Sequence, residues 1–238
     1  MQRLRLFGLA LLAIFAVGAI TSATSFAEEA GNPKMLCLGT EGKCTFPITF
    51  TGKSEKGELI TELGSVKCTE EGSNSGEITG VRTATANIDF HGCTLSTNKE
   101  KCSTTGDAAG TILLSAVPVK LVAYKSGTAL LAGLLFSPTE VLMTCGTVKV
   151  KIKGTVIALV ALESPITSEE SKNLKVLFDH AGNKQTPEEC ELPKETCEKE
   201  GKKVKFFLEG NLGVGFEHAA LAETKTLLVL ATDVKLDF

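Results

Sequence analysis

Thr139-Glu140-Val141-Leu142-Met143-Thr144-Cys145-Gly146-Thr147-Val148-Lys149-Val150-Lys151-Ile152-Lys153-Gly154-Thr155-Val156-Ile157-Ala158-Leu159-Val160-Ala161-Leu162 is the stretch on which the fold turns. Val148, Val150 and Ile152 fall on one face of an extended chain, and Lys149, Lys151 and Lys153 on the other. A period of two gives a strand one buried and one wet face. β-branched side chains suit a pleated surface, and Gly146 and Gly154 punctuate the run. Two or three consecutive strands at the heart of an antiparallel sheet are expected here.

The same pattern recurs on both sides. Thr83 to Phe90 is the cleanest example: Ala84, Ala86, Ile88 and Phe90 share one face, and Thr83, Thr85, Asn87 and Asp89 the other. Small residues on the inner face imply close packing against it. Phe46–Phe50 alternates, with Pro47 marking an edge because proline cannot donate to a ladder. Short strands are read at Glu58–Thr61, Ser65–Cys68, Gly76–Thr79, Leu174–Phe178, Val204–Leu208, Thr226–Leu230 and Val234–Phe238. Thr128–Phe136 has the Ala and Leu content of a short helix, but its glycines and strand neighbours favour a buried strand. Gly72-Ser73-Asn74-Ser75-Gly76 reads as a hairpin loop. Cys93 to Gly106 reads as a polar loop, and Pro165 to Lys172 as a loop or one helical turn. Asp179 to Lys203 reads as a hydrophilic excursion rich in Glu and Lys, long enough to suggest a role of its own. No segment keeps helical periodicity over three turns. The expected fold is all-β: an antiparallel β-sandwich or distorted barrel with disulfide-stapled loops. Residues 28–238 are expected as a single β-rich domain, against two β subdomains meeting near residues 106–117.

The N-terminus sets the compartment. Arg3 and Arg5 precede an apolar run from Leu6 to Ile20, and Ser25 and Ala27 occupy the −3 and −1 positions of a cut before Glu28. This is the pattern of a secretory signal peptide over residues 1–27. The apolar run is shorter than the ~20 residues a membrane helix needs, and no later run is long enough. Cleavage removes two arginines and no acid, which moves the formal net charge from −3 to −5. Mild acidity without a basic patch argues against a nucleic-acid partner. All eight cysteines lie beyond the cut, and an even count in an exported chain reads as a disulfide framework. The expected pairs are the local staples Cys37–Cys44, Cys93–Cys102 and Cys190–Cys197, with Cys68–Cys145 as the long-range bridge.

No catalytic, metal or cofactor constellation stands out. Gly72 to Gly76 has the spacing of a serine-hydrolase elbow, but its central residue is Asn74, which cannot be the nucleophile. His91, His180 and His218 are not spaced as metal ligands on one element. A triad assembled in space would leave no such trace. The cysteines lack C-x-x-C spacing, so neither a zinc ribbon nor a redox pair is indicated. The glutamates near Cys190 lack a calcium-loop pattern and are interleaved with lysines. The chain has no tryptophan and one tyrosine, Tyr124, too few flat rings for a base-stacking or sugar-stacking face.

Val66-Lys67-Cys68-Thr69, Gly76-Glu77-Ile78-Thr79, Phe90-His91-Gly92-Cys93-Thr94 and Pro138-Thr139-Glu140, behind a signal peptide, resemble a group of uncharacterised secreted β-rich proteins of actinobacteria. The resemblance runs from about Thr45 onward. It implies export and a cysteine-stapled β fold, and it carries over no functional residue. The functional expectation is an exported non-catalytic protein of the cell envelope or extracellular medium. It would bind an unknown ligand or envelope component, or serve structurally. A secreted hydrolase with an unrecognised active site is the alternative.

Overall fold

The computed structural model describes residues 32–37, 44–162 and 171–237. The signal segment 1–27 lies outside them. In chain order the strands are β1 (Lys34–Cys37), β2 (Ile48–Ser54), β3 (Gly57–Thr61), β4 (Gly64–Gly80), β5 (Thr83–Leu95), β6 (Cys102–Thr104), β7 (Ile112–Ser126), β8 (Ala129–Phe136), β9 (Val141–Cys145), β10 (Val148–Gly154), β11 (Val156–Leu162), β12 (Ser171–Ala181) and β13 (Lys184–Thr186). A four-residue helix, α1 (Lys194–Cys197), precedes β14 (Glu198–Lys199), β15 (Lys202–Lys203), β16 (Leu208–Asn211) and β17 (Glu217–Asp237).

The ladders close on themselves. β4, β5, β7, β8, β11, β12, β17 and β2 pair in that order, and β2 returns to β4, all antiparallel. β3 continues β2 after a two-residue break, between the same two neighbours, β17 and β4. The result is a closed barrel of eight strands, and closure removes the exposed edges that a flat sheet must protect. At this strand number the interior is just wide enough to be filled by side chains or to hold one small ligand.

Alternation builds the wall as the sequence suggests. Ala84, Ala86, Ile88 and Phe90 of β5 all face the interior. The apolar run 128–136 supplies β8, a strand. Thr139–Leu162 yields three strands, but only β11 belongs to the barrel. β9 and β10 instead join β6 and β16 in a side sheet carried by the start of β17. Gly146, at φ +60°, takes the first central position of the two-residue β9–β10 turn, a conformation that glycine reaches without Cβ strain. The side sheet is not separate in packing: Val141, Met143, Val150 and Leu208 share one apolar core with the barrel.

Several local expectations are overturned. Gly72–Gly76 is not a hairpin loop but the middle of the 17-residue β4. The glycines are there for close approach: a Cβ on Gly76 would stand 2.1 Å from the Thr85 carbonyl oxygen and 2.4 Å from Phe50, and glycine inside a strand marks such crowding. Lys34–Cys37, for which no strand is read from the sequence, forms β1 and pairs with the end of β17. The run Cys93–Gly106 holds the end of β5 and all of β6 rather than one loop. Val204–Leu208 is not a strand; only Leu208 enters one, β16. Of Pro165–Lys172, residues 165–170 lie outside the described residues.

Two of the expected disulfides are replaced by others. Cys68 bonds to Cys93, and Cys102 to Cys145; Cys93–Cys102 and Cys68–Cys145 do not form. The reason is register. Cys68 and Cys93 lie directly opposite each other in the β4–β5 ladder, and Cys102 and Cys145 in the β6–β9 ladder. Cα separations of 3.9 and 4.0 Å leave each sulfur its cross-strand neighbour as partner. The third bond is the short Cys190–Cys197 staple. Cys44 is disulfide-bonded, and the Cys37 side chain assigned to it by spacing lies outside the described residues.

The stapled excursion does not project from the barrel; it lies along it. Ala123 of β7 bridges Leu192, and Cys190, Cys197 and Phe206 pack on the outward faces of Val122, Leu135 and Ile157. These parts of β7, β8 and β11 are thus buried on both sides, which explains their unbroken apolar runs. On the rim of the excursion, Glu191 meets Lys203 and Lys125. The hydrogen bond from Lys203 holds the Glu191 carboxyl below the usual range.

Candidate functional site

The barrel interior is not filled. An apolar cavity of about 150 Å³ runs inside it. Phe50, Ile78, Phe90, Val119, Leu134, Val176 and Leu228 are among its walls, and Ala84, Ala86, Gly57 and Gly80 line it where larger side chains would close it. Phe136 and Phe178 meet at one side with ring centroids 5.5 Å apart and planes tilted by 51°. Tilted rings are the favoured aromatic arrangement.

Glu58, Asn74, Arg82, Thr83 and Thr226 break the apolar lining, and two of them carry a buried atom with no partner among the described residues. The first is Asn74 on β4, which is 7% exposed. Its Nδ2 donates to Ser54 Oγ at 2.6 Å, and that hydroxyl shares a hydrogen bond of 3.1 Å with Thr226 Oγ1. The three residues come from three adjacent strands, so this row ties β4, β2 and β17 together across the wall. Asn74 Oδ1 is buried and has no partner among the described residues. The second is Arg82, in the turn between β4 and β5. Its Nη2 lies 3.3 Å from Glu195 Oε1 of the stapled excursion, while its Nη1 is buried without a partner among the described residues.

The histidines lie elsewhere. His91 sits on β5 among residues of the outward face, with Nε2 2.9 Å from Asp89 Oδ2 and Nδ1 3.4 Å from Thr111 Oγ1. This row has the members of a hydroxyl–imidazole–carboxylate triad, which sequence spacing could not reveal. Neither Thr111, His91 nor Asp89 lines the interior cavity or the surface depression described next. His180 and Asp179 border an open depression of about 430 Å³ with Lys56, Glu58 and Lys67. There, Glu58 is paired with Lys67 at 3.3 Å, and His180 Nδ1 with the Gly182 carbonyl at 2.9 Å. The His218 ring lies against that of Phe207, with centroids 5.1 Å apart and planes tilted by 59°. The structure brings no two of the three histidines into one site.

Among the described residues no group of three or more His, Cys, Asp or Glu side chains is placed to hold a metal ion. Among the same residues no helix is long and apolar enough to cross a membrane. The six described cysteines other than Cys44 are 7% exposed or less and bonded in pairs. No family model, curated protein or solved structure matches this chain.

Proposed function

We propose that the protein is an exported, non-catalytic binding protein of the cell envelope or extracellular medium, and that its barrel holds one small apolar molecule. The observation that carries this is the apolar cavity of about 150 Å³ inside a closed wall. A cavity of that size lined by aliphatic and aromatic side chains stays dry and takes a benzene-sized solute. Left empty, it costs on the order of 3–4 kcal/mol relative to a filled interior, a sizeable share of a domain's net stability of ~5–15 kcal/mol. A bound molecule would offset that cost. Export is supported by the signal-like segment 1–27 and by disulfides, which persist in oxidising compartments. The interior presents no histidine, and Glu58 is its one carboxylate, which supports binding rather than turnover.

The test is a titration of the protein recovered from the medium of its own host. Its intact mass is expected to begin near Glu28, with no thiol open to alkylation. Toluene is expected to bind at one saturable site and to raise the melting temperature with concentration, as any ligand of the native state must. Absence of saturable binding would sink the ligand reading. A retained N-terminus would sink cleaved export. Hydrolysis of generic esters that is lost in His91→Ala would replace the non-catalytic reading with the hydrolase.

A further inference from the structure

We propose that Asn74 sets the specificity of this cavity, and that the ligand carries one neutral hydrogen-bond donor, a phenolic or alcoholic hydroxyl, on an apolar body. This rests on the reading of the barrel as a binding site. An amide has two donor hydrogens and a carbonyl acceptor. Asn74, which lines the cavity, spends its donor side on Ser54 Oγ at 2.6 Å, and its acceptor Oδ1 is buried with no partner among the described residues. Buried polar atoms in native proteins are almost always satisfied, and an exception calls for an explanation.

A purely structural role does not supply one. Tying β2, β4 and β17 together needs only the Nδ2 to Ser54 bond and the Ser54 to Thr226 bond. That tie uses only the donor side of the amide, so it leaves the unpaired Oδ1 unexplained. The cavity supplies the explanation: a hydroxyl placed inside meets, on Asn74, a buried acceptor that no donor among the described residues holds, which fixes its orientation. Arg82 is the rival anchor and would select an anion. Its charge is already met by the Glu195 carboxylate at 3.3 Å, whereas no described residue meets Asn74 Oδ1.

The experiment compares phenol, its isostere toluene, and benzoate on the wild-type protein and on Asn74→Leu. A wholly apolar cavity would bind phenol at least about tenfold more weakly than toluene, because the hydroxyl loses its water partners. The expected result is phenol binding at least as tight as toluene in the wild type. In Asn74→Leu the phenol-to-toluene affinity ratio should fall about tenfold or more, with toluene binding retained. On the wild type alone, the Asn74 side-chain amide resonances should shift with phenol and not with toluene, which tests the contact if the variant fails to fold. Toluene binding with phenol at least tenfold weaker would overturn the anchor and leave the barrel reading standing. So would an affinity ratio unmoved by Asn74→Leu. Benzoate binding tighter than both would transfer the anchor to Arg82. Failure of all three probes to bind would overturn both the anchor and the binding site.

Discussion

At the scale of single residues, Tyr124 offers a direct probe of the barrel wall. It is the one tyrosine in the chain, in the absence of tryptophan, so near-ultraviolet phenolate absorbance reports it alone. It lies on β7 and is 6% exposed, with its ring over Gly133 of β8, where an added Cβ would stand 3.2 Å away. Burial raises its pKa above the ordinary value of 10.0, and the charge of Asp179 raises it further. A raised folded-state pKa means that the native protein holds its proton more tightly than the unfolded chain. The associated stability is complete below pH ~10 and is lost as pH rises through the folded value. Phenolate absorbance should therefore appear above pH 10 in the native protein and near pH 10 in denaturant, and Tyr124→Phe should abolish this part of the alkaline loss of stability. A native titration at or below the denatured one would show the ring to be solvated.

At the scale of elements, the strands were far more legible than their partners. Alternation placed the inner face of β5 residue by residue and identified β8 despite its helical composition, because a period of two is a local property of the chain. Register between distant strands is not local. Cys68 and Cys93 meet because β4 and β5 fold back over 17 and 13 residues, and two register shifts along that ladder bring them into opposition. No count of intervening residues reveals this. Asn74 was hidden for a related reason. Flanked by Gly72, Ser73, Ser75 and Gly76 it carries every mark of a turn, and only the two-residue spacing of Gly72, Asn74 and Gly76 hinted at one strand face. The disulfides now make a prediction that differs between ladders and loop. Cys102–Cys145 closes 43 residues and Cys190–Cys197 closes 7, worth about 4 and about 2.4 kcal/mol in the chain-entropy model. Removing both cysteines of a pair avoids leaving a lone thiol. The Cys102→Ala/Cys145→Ala protein should thus unfold at lower denaturant than Cys190→Ala/Cys197→Ala, measured at equal slope. The reverse order would mean that the staple's packing against Val122, Leu135 and Ile157 outweighs loop closure.

At the scale of the whole molecule, the question is whether the barrel is built around a space or merely fails to fill one. Both faces of the wall are provided for. The stapled excursion covers part of the outside, and the side sheet shares the apolar core. The interior keeps alanine and glycine at lining positions, in a chain with leucine and valine freely available. Ala86 is the position at which to decide. It is 5% exposed and lines the cavity from β5. In a close-packed interior, Ala86→Leu would force neighbours off their rotamers and cost about 1–3 kcal/mol. Over a cavity of about 150 Å³ the added side chain fills space instead, and cavity filling commonly contributes about 0.5–2 kcal/mol. The expected outcome is a more stable protein that binds toluene at least about tenfold more weakly, because the same volume cannot hold both. The sign of the stability change, read by chemical denaturation, separates the two cases without knowledge of the natural ligand. A gain in stability with unchanged toluene binding would place the solute outside the barrel and end the reading on which Asn74 depends. A gain with lost binding would identify a fold that holds stability in reserve for its occupant, as a site kept open for a ligand requires.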